Sequence, residues 1–173
     1  EAVEAAAITI QQRLQRLRPD AKLTGFSIQA MIHRPHAQEL IVGVSTDPVF
    51  GPVILFGQGG IAVEVMNDRA LALPPLNTVL ARDLIDRTRV ARLLKGYRDH
   101  PPANEDAIYH LLLRVSQLVV NLPHIIELDF NPILADAEGV IALDARIKIS
   151  SSTTLRADDR LAIRPYPHEL EQT

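Results

Sequence analysis

Apolar residues set the first period of the chain. Val3, Ala7, Ile10, Leu14 and Leu17 recur at i, i+4, i+7, i+11 and i+14, which predicts a helix. Arg13, Arg16 and Arg18 lie off that stripe near its C-terminal end, where the helix dipole favours cations, and Pro19 stops it. From Phe26 the period changes to two. Phe26, Ile28, Ala30 and Ile32 alternate with Ser27, Gln29, Met31 and His33, the pattern of a half-buried strand. Residues 40–44, 53–56 and 61–66 predict three more strands, broken at Asp47-Pro48, Gly51-Pro52 and Gly57-Gln58-Gly59-Gly60. Connections this short favour antiparallel neighbours.

The middle of the chain returns to helical spacing. Asn77 or Thr78 can cap a helix carrying Val79, Leu80, Leu84 and Ile85. A short helix over residues 90–94 ends near Gly96. The widest apolar face belongs to Ala107, Ile108, Leu111, Leu112, Val115, Leu118 and Val119, with Asn104 as its N-cap. A hairpin follows, residues 125–135 and 140–149, turning at Asp136-Ala137-Glu138-Gly139. The fold class expected is α+β, a mostly antiparallel sheet packed against helices. Residues 1–149 form the domain, and residues 150–173 read as a linker toward a following domain.

Composition narrows the function classes. Eighteen Lys and Arg against 21 Asp and Glu give a net charge of −3, so a nucleic-acid partner is not expected. The absence of Cys excludes disulfides, thiolate metal sites and a cysteine nucleophile. No apolar run approaches the roughly 18 residues that span a bilayer, and no secretory pattern opens the chain. No membrane partner is therefore expected, and cytoplasmic location is the default. The chain begins without Met and reads as a piece of a longer protein.

The hairpin carries the clearest chemistry. Residues two apart in a strand share a face, so Glu127, Asp129 and Asn131 point one way while Ile126, Leu128 and Phe130 enter the core. On the return strand Asp144, Arg146 and Lys148 share a face, and Ile141, Leu143 and Ile147 take the other. If Asp136 and Gly139 close a two-residue loop, Asn131 stands across from Asp144, Asp129 from Arg146 and Glu127 from Lys148. Two of these rungs are ordinary acid–base pairs, worth about 0.2–1 kcal/mol each, and a solvated charge ladder explains them. The Asn131–Asp144 rung gains nothing from charge matching. Its amide and carboxylate oxygens suit a hard cation such as Mg2+, which takes one or two protein ligands with phosphates and water. The glycine loop at residues 57–60 can present backbone N–H groups to a phosphate.

These residues resemble a known family. Gln29-Ala30-Met31, residues 39–44, residues 47–52, residues 56–60 with Glu64, residues 127–132 and Leu143-Asp144-Ala145 look like the ATP-grasp region of ADP-forming acyl-CoA synthetases. The likeness covers residues 24–147, and the β subunit of succinyl-CoA synthetase is a more distant relative. The resemblance implies ATP and Mg2+ as cofactors, with Asn131 and Asp144 as metal ligands. It implies Asp129 as the catalytic acid near a phosphohistidine. Gln29, Ala30, Met31 and Ile32 would form the adenine hinge, and Glu39 would hold the nucleotide sugar. It implies that ATP phosphorylates a histidine on another domain and that the phosphoryl group passes to an acyl group, which CoA displaces. The partners implied are phosphohistidine-bearing and CoA-binding domains. An upstream lobe with a phosphate-contacting lysine is expected before Glu1, so the isolated chain is expected to lack turnover. Residues 160–167 resemble the join to a GNAT acetyltransferase domain, which gives the alternative of a regulatory nucleotide-binding module in a protein lysine acetyltransferase.

Overall fold

The computed structural model describes residues 1–60, 67–98, 100–150 and 160–163. The chain divides into two units, Glu1–His33 and Arg34–Thr173. The first unit holds α1 (Ala2–Leu17), the helix expected from the opening stripe, with none of its residues buried. Residues 26–33, expected as a strand, have no regular structure, and Met31 is 93% exposed. Alternation prepares a segment for a sheet, but a strand forms only where a neighbour takes its N–H and C=O groups. Among the described residues, none pairs with this segment.

The second unit is built on one antiparallel sheet. Its strands are β1 (Gln38–Asp47), β2 (Gly51–Gln58), β3 (Arg69–Ala72), β4 (Ile125–Asp136), β5 (Gly139–Ala142) and β6 (Ala145–Ile149). The order is β3-β2-β1-β4-β5, with β6 also on β4. β1 and β2 form a hairpin in continuous register from Asp47↔Gly51 to Leu40↔Gln58. At its tip the Asp47 carboxylate accepts N–H bonds from Val49 (2.8 Å) and Phe50 (2.9 Å). The strand expected at residues 61–66 lies outside the described residues.

Three helices cover one face: α2 (Thr78–Asp86), α3 (Val90–Leu94) and α4 (Glu105–Asn121). The caps follow the sequence, since Asn77 Oδ1 accepts from Leu80 N (2.9 Å) and Asn104 Oδ1 from Ala107 N (3.0 Å). Ala81, Leu84, Val90, Leu94, Ile108, Leu112 and Val119 pack on Leu40, Val42, Ile54, Phe56, Leu128 and Ile133. The opposite face mixes apolar side chains, among them Ile41, Leu55 and Leu71, with the polar side chains of Ser45, Glu127 and Asp129.

The second hairpin departs from expectation in its packing. Leu128 is buried and Phe130 packs against the core as expected, but Ile126 is only half-buried, because a register irregularity between Ile125 and Glu127 breaks the strict alternation there. Leu143 and Ile147, expected on the face away from the charged residues, are exposed, and Ile141 is half-buried. All five β6 residues are exposed, so the helix layer stops short of this strand. Of the expected linker, Ser150 and residues 160–163 are described. Arg160 donates to the carbonyls of Val119, Pro123 and Ile125, and Leu161 is buried, so this stretch is seated on the α4–β4 corner. No helix among the described residues is long and apolar enough to cross a membrane.

Candidate functional site

Directly opposed residues of paired strands share a face. β4 and β6 set Asp129 opposite Arg146 and Glu127 opposite Lys148, the register that the tight turn predicts. Lys148 Nζ meets Glu127 Oε1 at 2.9 Å. The rungs Phe130↔Ala145 and Ile133↔Ala142 flank a gap. Within it stand Asn131-Pro132 on one strand and Leu143-Asp144 on the other, and there the return strand divides into β5 and β6. Pro132 has no N–H to give, and its carbonyl accepts from Leu143 N at 3.0 Å. On the other side Leu40 faces Ile133 and Val42 faces Phe130, so Asn131 and Pro132 oppose Ile41 alone. Such a bulge re-aims a side chain out of the ladder.

The re-aimed amide meets the glycine loop. Asn131 Oδ1 accepts the Gly60 N–H at 3.0 Å. Gly60 has φ +76°, a region that favours glycine, and a Cβ there would collide with the Glu39 carboxylate. Gly59 N donates to the Glu39 carbonyl at 2.8 Å, and a Cβ at Gly59 would strike the Leu40 backbone. The loop therefore gathers Asn131 and Glu39 at one place. It does not offer its N–H groups outward as expected. Those of Gln58, Gly59 and Gly60 bind Asp68 O, Glu39 O and Asn131 Oδ1, because the loop turns back onto the sheet.

Charge is unevenly shared along this face. Asp144 Oδ1 accepts from Ala145 N (2.9 Å), and its Oδ2 lies 3.3 Å from Arg146 Nε. Arg146 thus turns to Asp144 and away from its cross-strand neighbour. Asp129 is half-buried, and its carboxylate has no hydrogen-bond or ion-pair partner among the described residues. A cavity of about 420 Å³ crosses β1, β4 and β6 here, with Ser45, Glu127, Asp129, Arg146 and Lys148 on its walls. Gly43 opposes Asp129 on β1, so no side chain closes that flank.

The donor chemistry fits a hard divalent cation. Asn131 Oδ1 and the Asp144 carboxylate are oxygen donors, and each oxygen has engaged one N–H or guanidinium partner, which leaves lone pairs for an ion. Among the described residues no group of three or more His, Asp and Glu side chains is placed to hold a metal. An ion at this rung would therefore complete its shell with phosphate oxygens and water. His33 lies in the first unit, whereas His36 meets His100 edge-on, with ring centroids 5.4 Å apart. Gln29, Ala30, Met31 and Ile32 belong to the first unit, in the segment without regular structure.

Sequence reading missed Asp68. This buried carboxylate accepts from Arg89 N and Val90 N, each at 2.7 Å, and so caps α3. The cap comes from 22 residues upstream, and no local motif announces it.

Residues 1–149 match the family model described as the ATP-grasp domain. The chain belongs to the ATP-grasp family. It is 37% identical over 147 residues to the β subunit of acetate–CoA ligase (ADP-forming) I of Pyrococcus furiosus, covering 85% of this chain and 62% of that relative. Against acetate–CoA ligase (ADP-forming) I of Archaeoglobus fulgidus it is 37% identical over 145 residues, 84% of this chain and 21% of the relative. The ATP-grasp chain thus spans about three-fifths of the first relative and a fifth of the second. Among solved structures it resembles dinucleotide-forming acetyl-coenzyme A synthetase 1 of Ca. Korarchaeum cryptofilum in complex with coenzyme A, acetyl-coenzyme A and a phosphorylated phosphohistidine segment. The TM-score is 0.73 at 32% identity, over 86% of this chain and 65% of that one. The same enzyme with coenzyme A and Mg-AMPPCP, its phosphohistidine segment pointing towards the nucleotide-binding site, gives 0.65 at 36% identity over 68% of this chain and 55% of that one. The mixed α/β architecture and mostly antiparallel sheet agree with the ATP-grasp fold.

Proposed function

We propose that this chain is the ATP- and magnesium-holding part of an ADP-forming acyl-CoA ligase. In this reading ATP phosphorylates a histidine on another segment, the phosphoryl group passes to an acyl group, and CoA displaces it. The relatives named above are CoA ligases, which favours this reading over a regulatory module ahead of a GNAT domain. Residues 164–167 of the stretch that carries the acetyltransferase resemblance lie outside the described residues.

The open-face ladder carries the proposal. Asn131 and Asp144 would hold the magnesium ion, which neutralises phosphate charge when bound. Gln29, Ala30, Met31 and Ile32 would contact adenine, and Glu39 the ribose. Asp129 is the one unpaired acid of the ladder, two residues from Asn131 on the same strand. It would accept a hydrogen bond from the ring N–H of the incoming histidine. The ring's free nitrogen then bonds to the γ-phosphorus while the bond from that phosphorus to the β-phosphate oxygen breaks. ADP leaves with the electron pair, and the ring keeps its proton, so positive charge develops beside Asp129. A carboxylate there stabilises that charge and orients the ring.

Calorimetry on the complete parent protein tests the reading. ATP is expected to bind in the presence of Mg2+, and Asn131→Ala and Asp144→Ala should each weaken it at least tenfold. Binding unchanged in both variants would overturn the metal assignment. The isolated chain should bind ATP weakly and show no acyl-CoA formation; a robust rate from it would contradict the need for an upstream lobe.

A further inference from the structure

We propose that Arg146 binds the phosphoryl group while it passes between the nucleotide and the histidine, an inference that rests on the function proposed above. The ladder orders its charges along one face. Asp144 stands at the metal end and Asp129 at the ring end, and Arg146 contacts the first, two residues away, and holds the register position directly across the strands from the second. A phosphoryl group moving from the triphosphate to the ring enters this interval. Asp129 carries the same sign as that group and repels it, so a cation must stand between them.

Two cations line the cavity, and their states differ. Lys148 is committed to Glu127 at 2.9 Å. Among the described residues Arg146 has one ion pair, Nε to Asp144 Oδ2 at 3.3 Å, and its side chain is 79% exposed. Its terminal nitrogens remain available as a planar fork, which suits two oxygens of one phosphate. The neighbouring strand presents Gly43 opposite Asp129, which leaves the space beside the acid unfilled. A simple structural pair with Asp144 explains the 3.3 Å contact but not the free fork above an open cavity beside an unpaired acid.

The test uses the complete protein with its phosphohistidine segment and separates three contributions. Single-turnover phosphohistidine formation from labelled ATP reads transfer, calorimetry with Mg-ADP reads the metal end, and urea unfolding reads structure. Arg146→Gln should slow phosphohistidine formation at least tenfold while Mg-ADP affinity stays within threefold and the unfolding midpoint is unchanged. Arg146→Lys should recover part of the rate, because a point charge replaces the fork. A rate within twofold of wild type in Arg146→Gln would overturn the proposal. So would a fall in Mg-ADP affinity parallel to the rate, which assigns Arg146 to the metal end alone. Absence of phosphohistidine in the wild-type protein would instead overturn the function proposed above, and this inference with it.

Discussion

Gly60 shows how much one residue can carry. Its N–H supports the Asn131 amide, and the space its missing side chain leaves is filled by the Glu39 carboxylate. Gly60→Ala places a Cβ at φ +76°, which destabilises by about 1–2 kcal/mol, and pushes Glu39 aside. Urea unfolding should register that loss, and Mg-ATP affinity of the complete protein should fall at least tenfold. Stability lost with affinity retained would separate the loop from the site. Asp68 caps a helix. Removing its carboxylate takes this acceptor from two N–H donors at the start of α3, and Asp68→Ala should lower unfolding free energy by about 1–3 kcal/mol. At Asp47 the backbone N–H of Phe50, then that of Val49, holds the carboxyl below its ordinary value of 3.8, against a smaller opposing effect of burial. The folded state therefore releases this proton more readily than the unfolded chain. Its stabilising effect is complete above the ordinary carboxylate value and is lost as pH falls through the lower, folded one. A carbon NMR titration of Asp47 should give a midpoint below 3.8, and a midpoint at or above it would contradict the contact.

Elements were readable in proportion to how local their causes are. The turn at Asp136 and Gly139 fixes the sum of opposing residue numbers, and that alone places Asp129 across from Arg146 and Glu127 across from Lys148. The capped helices α2 and α4 follow from Asn77 and Asn104 with their apolar stripes. Residues 26–33 alternate as cleanly as any strand, yet have no strand partner among the described residues, because pairing depends on a neighbour that alternation does not specify. Asp68 and Arg160 reach their targets across 22 and more than 30 residues, distances that leave no local trace. Arg160 binds three carbonyls at the corner of α4 and β4, and burial depresses its guanidinium pKa. Arg160→Ala leaves those carbonyls to find other partners, and should lower the unfolding free energy by about 1–3 kcal/mol in urea. No change would mean that the stretch from Arg160 contributes nothing to the body.

At the scale of the molecule, the second unit has two unlike sheet faces. One is closed by α2, α3 and α4 over an aliphatic core, and the other presents the ladder, the glycine loop and an open cavity. The α+β class and the antiparallel order follow from short connections and period-two runs. The exposed apolar side chains of β6 were not legible, because how far a helix layer extends over a sheet is a property of the assembled fold. The sequence marks Asn131 and Asp144 because one lacks a charge and the other has no charge-matched partner in the expected register, but the gap in the ladder at these residues and the turn of the Asn131 amide to Gly60 were not legible. A crystal structure of the complete protein with Mg2+ and a non-hydrolysable ATP analogue tests this most directly. The ion should lie about 2.0–2.1 Å from Asn131 Oδ1 and from an Asp144 carboxylate oxygen, and should touch phosphate oxygens as well. An ion held elsewhere, with both side chains still bound only to Gly60, Ala145 and Arg146, would contradict the account.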